Sequence, residues 1–117
     1  MTIDVNGFSM LPEERLALAR RIVKRAADHG IAREDVIIDP VVLPLASYPN
    51  AVEVTLATIK LIRDELACNI TCGVSNVSFG LPDRATAESA FLREATRAGL
   101  TCAIANPLRL LSFHPEP

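Results

Sequence analysis

Apolar residues recur at helical spacing in stretches of the chain that are separated by short apolar runs. The first stretch lies between Pro12 and His29, where apolar and basic positions alternate as in an amphipathic helix. Pro12 fits a first turn, and Gly30 can adopt the left-handed conformation that often ends a helix. The predicted apolar face comprises Leu16, Ala19, Ile22, Val23 and Ala26, and the predicted basic positions are Arg15, Arg20, Arg21, Lys24 and Arg25.

Further helices are predicted from the same signals. Asn50 with Glu53 three residues later resembles a capping box, and the apolar positions after it are Val52, Leu56, Ile59, Ile62 and Leu66. Pro82 and Asp83 open another helix, and Gly99 closes it. The apolar positions of this last helix are Ala87, Phe91, Leu92 and Ala95.

Short apolar runs between the helices predict strands. Val36 to Ile38 resembles a strand buried on both faces, Ile70 to Phe79 is rich in β-branched residues, and Cys102 to Ile104 forms another run. Alternating helices and strands with short connections predict an α/β protein with a parallel sheet and right-handed crossovers. The pattern fits either a piece of a barrel or a small doubly wound sheet.

Length and charge narrow the possibilities. A chain of 117 residues has room for a single domain, and a net charge of −2 gives no reason to expect nucleic acid or an anionic membrane as a partner. The sequence has neither an apolar stretch of roughly eighteen residues nor a basic, then apolar, N-terminus, which predicts a soluble cytoplasmic protein. The odd number of cysteines in apolar surroundings predicts reduced, buried thiols at Cys68, Cys72 and Cys102.

The most informative motif is GVSNVSFGLPDR, from Gly73 to Arg84, followed by AFL at 90–92 and AIANP at 103–107. These motifs, together with TID at 2–4, ERL at 14–16 and DVIIDP at 35–40, resemble the methyltetrahydrofolate:corrinoid methyltransferases, which are pterin-binding proteins with a dihydropteroate synthase-like barrel. The resemblance extends over nearly the whole chain up to about Leu108.

The resemblance implies a partial (β/α)8 TIM barrel, roughly strands five to seven with their helices, and a partial pterin-binding domain over residues 1–117. It implies transfer of a methyl group from N5 of methyltetrahydrofolate to the cobalt of a corrinoid (cobalamin) carried by a partner protein. Because such a piece has open strand edges, we expect a homo-oligomer or a complementing N-terminal half-barrel.

The same resemblance implies site residues. Asn76 matches the family's asparagine that hydrogen-bonds N5 of the pterin, and an amide can accept from a protonated N5 or reorient as protonation changes. The alternative role for Asn76 is to satisfy local backbone groups. Asp39 matches an aspartate that accepts from a pyrimidine N–H and the exocyclic amino group, and its alternative role is that of a turn residue before Pro40.

Additional pterin-site candidates have supporting roles. Ser75 and Ser78 flank Asn76 and would orient it, and Arg84 matches a family arginine just beyond the sixth strand. Asn106 ends the last predicted strand or caps a helical segment after it. Phe79 stands where some relatives have a polar residue near the pterin. No metal site is expected in this chain.

Other functions remain open at this stage. The chain could be a non-catalytic binding or assembly fragment, either a remnant or one half of a split enzyme. A dihydropteroate synthase-like enzyme is a further alternative, although the sequence shows no Gly-rich cradle for a pyrophosphate leaving group. Cys68 and Cys72 could form a thiol or metal pair, but no third ligand is nearby, so core thiols are favoured.

Overall fold

The computed structural model describes residues 1–110. The helices are α1 (Pro12–Asp28), α2 (Ala51–Leu66) and α3 (Arg84–Ala98), and the strands are β1 (Ile37–Ile38) and β2 (Asn69–Ile70). Short 3-10 helices cover Arg33–Asp35, Val74–Asn76 and Pro107–Arg109. Within the described residues the alternation of helices and parallel strands confirms the predicted α/β class.

Helix α1 begins at the predicted proline and ends just before Gly30, which has the left-handed φ of 75°. Leu16 and Ala19 on its apolar face are buried, as predicted. Arg15 is one of the basic positions in this amphipathic pattern, but it does not lie on an exposed polar face. Its side chain is fully buried because backbone carbonyl groups accept hydrogen bonds from the guanidinium.

The start of α2 differs from the predicted capping box. Asn50 makes no side-chain cap, because its backbone is already nearly helical at φ −91° and ψ 7°. The N–H of Ala51 instead donates to the carbonyl of Tyr48 at 2.9 Å. The N–H of Ala51, the first of the free N–H groups at the helix start, therefore has a backbone partner in place of a side-chain cap.

Helix α3 has the predicted ends. The carboxylate of Asp83 accepts from the N–H of Thr86 at 3.2 Å, which is an N-cap contact. Gly99 has a φ of 123°, and a Cβ there would lie 2.6 Å from Cδ of Arg63 on α2. Glycine is therefore required both by the backbone conformation and by the close approach of α2.

The strands are parallel and shorter than predicted. Ile37 pairs with Asn69, and Ile38 pairs with Ile70. A strand over 70–79 was predicted, but β2 ends at Ile70, and the N–H of Asn76 donates back to the carbonyl of Gly73 in a 3-10 turn. Local hydrogen bonds replace a continued ladder after Gly73.

The predicted run 102–104 is present as an extended segment rather than a full strand. The N–H of Cys102 donates to the carbonyl of Ile70, and the N–H of Ile104 donates to that of Cys72. Ile104 also forms a parallel bridge with Gly73. On the other side of the sheet, the N–H of Thr2 donates to the carbonyl of Asp39. The order across the sheet is thus the N-terminal segment, β1, β2 and the segment 102–104.

One face of the sheet packs against the helices and the other is open. Ile38, Ile70 and Cys72 are fully buried in a core that also contains Ile59, Ile62, Leu16, Ala19, Phe91 and Ala95. Strand alternation and pairing register place Ile37, Asn69, Gly73 and Ile104 on the opposite side, here called the open face. Ile37 is 54% exposed and Ile104 is 69% exposed. The prediction that the first strand is buried on both faces is therefore wrong, because within residues 1–110 nothing covers the open face.

Helices on one face of a parallel sheet are compatible with part of a (β/α)8 barrel, whose strands have helices outside and side chains inside. In the part of the chain that the structure describes, no helix is both long enough and apolar enough to cross a lipid bilayer.

Candidate functional site

The predicted site residues lie beyond the carboxyl ends of neighbouring strands. Asp39 directly follows β1, Asn76 lies in the turn after β2, and Asn106 follows the segment 102–104. Two backbone hydrogen bonds join neighbouring connections to each other. They run from the N–H of Leu45 to the carbonyl of Val77 at 3.1 Å and from the N–H of Val74 to the carbonyl of Ile104 at 3.0 Å. The fold thus brings the connections that carry the candidates together at one edge.

Asp39 is half-buried, and its main chain and side chain both have partners. Its Oδ1 accepts from the N–H of Val41 at 2.8 Å, while its carbonyl accepts from the N–H of Thr2. This is the turn geometry that the sequence offered as the alternative role. A bond to one carboxylate oxygen also fixes the direction of the other, so the turn and a ligand-binding role are compatible.

The buried Arg15 supports the turn after Asp39, and sequence reasoning missed it. Its Nε donates to the carbonyl of Ser9 at 2.6 Å, and one terminal nitrogen donates to the carbonyls of Pro40 and Val41, each at 2.8 Å. Burial lowers the pKa of Arg15, and the negative charge of Asp39 opposes this shift. The guanidinium remains a cation held by main-chain oxygens.

Val41 is held in an unusual conformation by these contacts. Its φ is 67°, which is the left-handed region that β-branched residues rarely adopt. Its side chain is nevertheless buried with Leu43 and Ala51. The Arg15 and Asp39 contacts on either side of its peptide groups hold the chain in this conformation.

Asn76 is exposed, and its side chain lies over Gly73. A Cβ at Gly73 would lie 3.2 Å from Nδ2 of Asn76, which is closer than ordinary van der Waals contact. The absence of a side chain at Gly73 therefore gives the Asn76 amide its space. Ser75 contributes its main-chain carbonyl to the same turn, which accepts from a terminal nitrogen of Arg84 at 3.0 Å.

Ser78 is fully buried and connects the turn to α3. Its hydroxyl oxygen lies 2.6 Å from Oε1 of Glu88 and 3.0 Å from the carbonyl of Ser75, which are both acceptors for its single proton. Nε of Arg84 donates to the same hydroxyl oxygen at 2.9 Å. Ser78 thus supports the turn from beneath.

Glu88 is the second buried charged residue that sequence reasoning missed. It is 0% exposed, and its Oε1 accepts from Arg109 at 2.8 Å and lies 3.6 Å from Arg84. Burial alone would raise the pKa of Glu88, but the hydrogen bonds from Ser78 and Arg109, with the charges of Arg109 and Arg84, lower it overall. The available signal was helical spacing, since Glu88 falls on the same face as Phe91, Leu92 and Ala95.

Phe79 and Asn106 lie at the surface of this edge. Phe79 is 65% exposed, and the guanidinium carbon of Arg84 lies 5.6 Å from the centre of its ring, within cation–π distance. The Oδ1 atom of Asn106 accepts from the N–H of Leu108 at 3.0 Å, which is the capping role considered from the sequence.

The cysteines are free thiols. Cys68 and Cys72 are buried as predicted, whereas Cys102 is exposed and that part of the prediction is wrong. Burial is the main cause that raises the pKa of Cys72 to about 12, and the nearby Asp39 and Cys102 contribute to the same shift. Within residues 1–110 no group of three or more His, Cys, Asp or Glu side chains is arranged to hold a metal ion.

Parallel βα units with polar side chains collected beyond the strand ends define an α/β protein with its candidate site at that edge of the sheet. Residues 9–106 match the family described as pterin binding enzyme, and the chain belongs to this family. The resemblance inferred from the sequence motifs is thereby confirmed.

Two curated relatives are similar to this chain. The chain is 31% identical over 108 residues to the methylcorrinoid:tetrahydrofolate methyltransferase of Eubacterium limosum, covering 92% of this chain and 40% of that protein. It is 29% identical over 125 aligned residues to methionine synthase of Mycobacterium leprae (strain TN), covering 100% of this chain and 10% of that protein. The chain therefore spans less than half the length of these curated relatives.

Proposed function

We propose that this chain is the pterin-binding part of a methyltransferase that moves a methyl group between N5 of methyltetrahydrofolate and the cobalt of a corrinoid protein. The observation that carries the proposal is the convergence of Asp39 and Asn76 at one edge, where the Leu45–Val77 hydrogen bond joins their connections. Membership of the pterin-binding family and the similarity to methyltransferases support it.

Asp39 is the proposed recognition residue for the pterin ring. The contact from the N–H of Val41 orients its carboxylate, which can then accept from a ring N–H and the exocyclic amino group. Because Arg15 holds the adjacent carbonyls, the orientation is set before a ligand arrives. This preorganisation reduces the entropy that binding must remove.

Asn76 is the proposed catalytic residue. The corrinoid cobalt, carried by the partner, would supply the electron pair that takes the methyl group. As the N5–carbon bond breaks, its electron pair stays on N5, and a proton on N5 makes the pterin a neutral leaving group. The Asn76 amide over Gly73 can accept a hydrogen bond from that protonated nitrogen. The reverse direction, which the name of the Eubacterium relative gives, would use the same site because both directions share one transition state.

The other candidates have supporting roles in this proposal. Ser75, Ser78 and Arg84 hold the turn that carries Asn76. Arg84 and Phe79 together form an amphipathic rim at the site, where a flat ring could stack. Asn106 contributes a polar edge on the side of the segment 102–104.

We further propose that residues 1–117 correspond to a partial barrel domain, with β1, β2 and the segment 102–104 equivalent to strands five to seven. The exposed apolar side chains of the open face support this assignment, because strand faces inside a barrel are covered. The missing cover would come from a second copy of the chain or from an N-terminal half-barrel.

The first test is isothermal titration of methyltetrahydrofolate into the chain, alone and with a complementing half-barrel, with the oligomeric state measured alongside. We expect a Kd on the order of micromolar that is lost in Asp39→Ala and about tenfold weaker in Asn76→Ala. Asp64→Ala is the matched control, since its side chain is exposed and lies near the end of α2, where the chain enters β2 at the opposite edge of the sheet. A folded chain that binds no pterin in either setting would refute the proposal.

A non-catalytic binding or assembly module is the second candidate. The open face favours it, because an uncovered sheet cannot exclude water from a reaction. Pterin binding with no methyl transfer to a corrinoid acceptor would identify this function. A dihydropteroate synthase-like activity has less support, since neither relative named above is a dihydropteroate synthase.

A further inference from the structure

A buried acid on α3 lies beneath the turn that carries Asn76. We propose that Glu88 is a positioning residue, which sets the orientation of Asn76 through Ser78 and Arg84. It does not touch the proposed ligand, because its side chain has no exposed surface. The proposal deepens the proposed function, and only its binding readout rests on that function.

A series of hydrogen bonds connects Glu88 to the turn that carries Asn76. Oε1 of Glu88 is 2.6 Å from the Ser78 hydroxyl, which in turn receives a hydrogen bond from Nε of Arg84. A terminal nitrogen of Arg84 donates to the carbonyl of Ser75, and that carbonyl belongs to the peptide group that leads into Asn76. Fixing this peptide plane fixes the direction in which the Asn76 side chain leaves the turn.

The carboxylate of Glu88 lies between two cationic side chains. Glu88 faces Arg84 from its own helix and Arg109 from the segment after Asn106, and Ser78 is its neutral partner. Without the carboxylate, the guanidinium groups of Arg84 and Arg109 would repel each other with no anion between them. Arg84 would then lose the anchor that directs it towards the carbonyl of Ser75.

Packing does not account for an acid at this position. Oε2 of Glu88 is buried and, within residues 1–110, has no hydrogen-bond partner. An unpaired buried carboxylate oxygen is costly, and a neutral side chain of similar volume would fill the space without that cost. The carboxylate therefore needs a role that a neutral side chain lacks, and holding two arginines in place is such a role.

The first experiment needs no ligand. The side-chain amide signals of Asn76, identified by their loss in Asn76→Ala, are followed by ¹⁵N–¹H NMR in Glu88→Gln and Ser78→Ala. Both variants should shift these signals, while the matched control Glu94→Gln, an exposed glutamate on the same helix, should leave them in place. Unchanged Asn76 signals in folded Ser78→Ala, or in folded Glu88→Gln, would overturn the proposal, and Ser78→Ala serves alone if Glu88→Gln does not fold.

The second experiment separates positioning from general structural support. Glu88→Gln should weaken methyltetrahydrofolate binding roughly tenfold in the natural background and leave it unchanged in the Asn76→Ala background. Equal losses in both backgrounds would mean that Glu88 does not act through Asn76. If the natural chain binds no methyltetrahydrofolate, alone or with a complementing half-barrel, the proposed function fails, and the NMR signals of Asn76 still decide whether Glu88 positions it.

Discussion

The turns that carry Asp39 and Asn76 are supported in opposite ways. The Asp39 turn rests on a buried cation, Arg15, whose partners are main-chain carbonyls. The Asn76 turn rests on a buried anion, Glu88, which acts through the side chains of Ser78 and Arg84. The buried charge contacts the backbone of the first turn directly, whereas Ser78 and Arg84 stand between the buried charge and the backbone of the second turn.

This difference suits the proposed roles. Recognition of a flat ring requires a carboxylate that does not move, and direct bonds to the main chain provide such rigidity. An amide that responds to protonation of N5 must reorient without unfolding its turn. Side-chain hydrogen bonds allow this, because their torsions adjust while the peptide group of Ser75 stays held.

The largest loss of stability is expected from replacing Arg15, the buried cation beneath the Asp39 turn. Arg15→Met should lower the free energy of unfolding by about 3 kcal/mol, because it leaves the carbonyls of Ser9, Pro40 and Val41 buried without their donors. Urea denaturation measures this loss. Arg20→Met is the matched control on the same helix, and it should stay within about 0.5 kcal/mol because Arg20 pairs with Glu65 in solvent. Equal losses in both variants would show that the Asp39 turn does not depend on Arg15.

An intermediate, pH-dependent loss of stability is expected from replacing Glu88, the buried anion beneath the Asn76 turn. Glu88→Gln should cost about 2 kcal/mol at neutral pH, because charged hydrogen bonds with Ser78 and Arg109 are lost. The pKa of Glu88 is lowered below its ordinary value of 4.5 by Ser78, Arg109 and Arg84, which outweigh the opposing effect of burial. A lowered pKa means that the stabilisation is present above pH 4.5 and is lost as the pH falls through the folded-state pKa.

Urea denaturation of the natural chain and of Glu88→Gln at a series of pH values measures this effect. The difference in unfolding free energy between the two proteins should shrink as the pH falls below 4.5. A difference that stays constant across the acid range would contradict the ionised state of Glu88 at neutral pH.

The smallest change in stability should accompany Gly73→Ala. Gly73 has a φ of −80°, which alanine adopts freely, so the unfolding free energy should change by less than about 0.5 kcal/mol. The added methyl group would displace the Asn76 amide, and methyltetrahydrofolate should bind about fivefold more weakly by titration. In the Asn76→Ala background the same substitution should have no effect on binding, and a further loss there would contradict the contact.

The sequence predicted the helices well because their signals are local. Pro12, Asp83 and Gly99 mark helix ends through their own backbone chemistry, and the structure confirms each of them. The strand predicted over 70–79 was wrong, since β-branched composition cannot show where a ladder stops and a turn of local hydrogen bonds begins.

The charged residues beneath the site could not be predicted in the same way. Arg15 lies among other basic positions of α1, and its burial depends on the carbonyls of Pro40 and Val41, which lie more than twenty residues away. Glu88 similarly depends on Arg109. Periodicity placed Glu88 on an apolar face, but only tertiary structure shows the partners that make its burial possible.

The backbone hydrogen bonds across the sheet join segments that are successive along the chain. Thr2 bonds to Asp39, β1 pairs with β2, and Cys72 bonds to Ile104. Because the N-terminal parts of a chain leave the ribosome first, each segment of the sheet emerges after the segment with which it pairs. The sheet can therefore form in the direction of translation. Each βα unit packs against the preceding one and needs no segment from far along the chain.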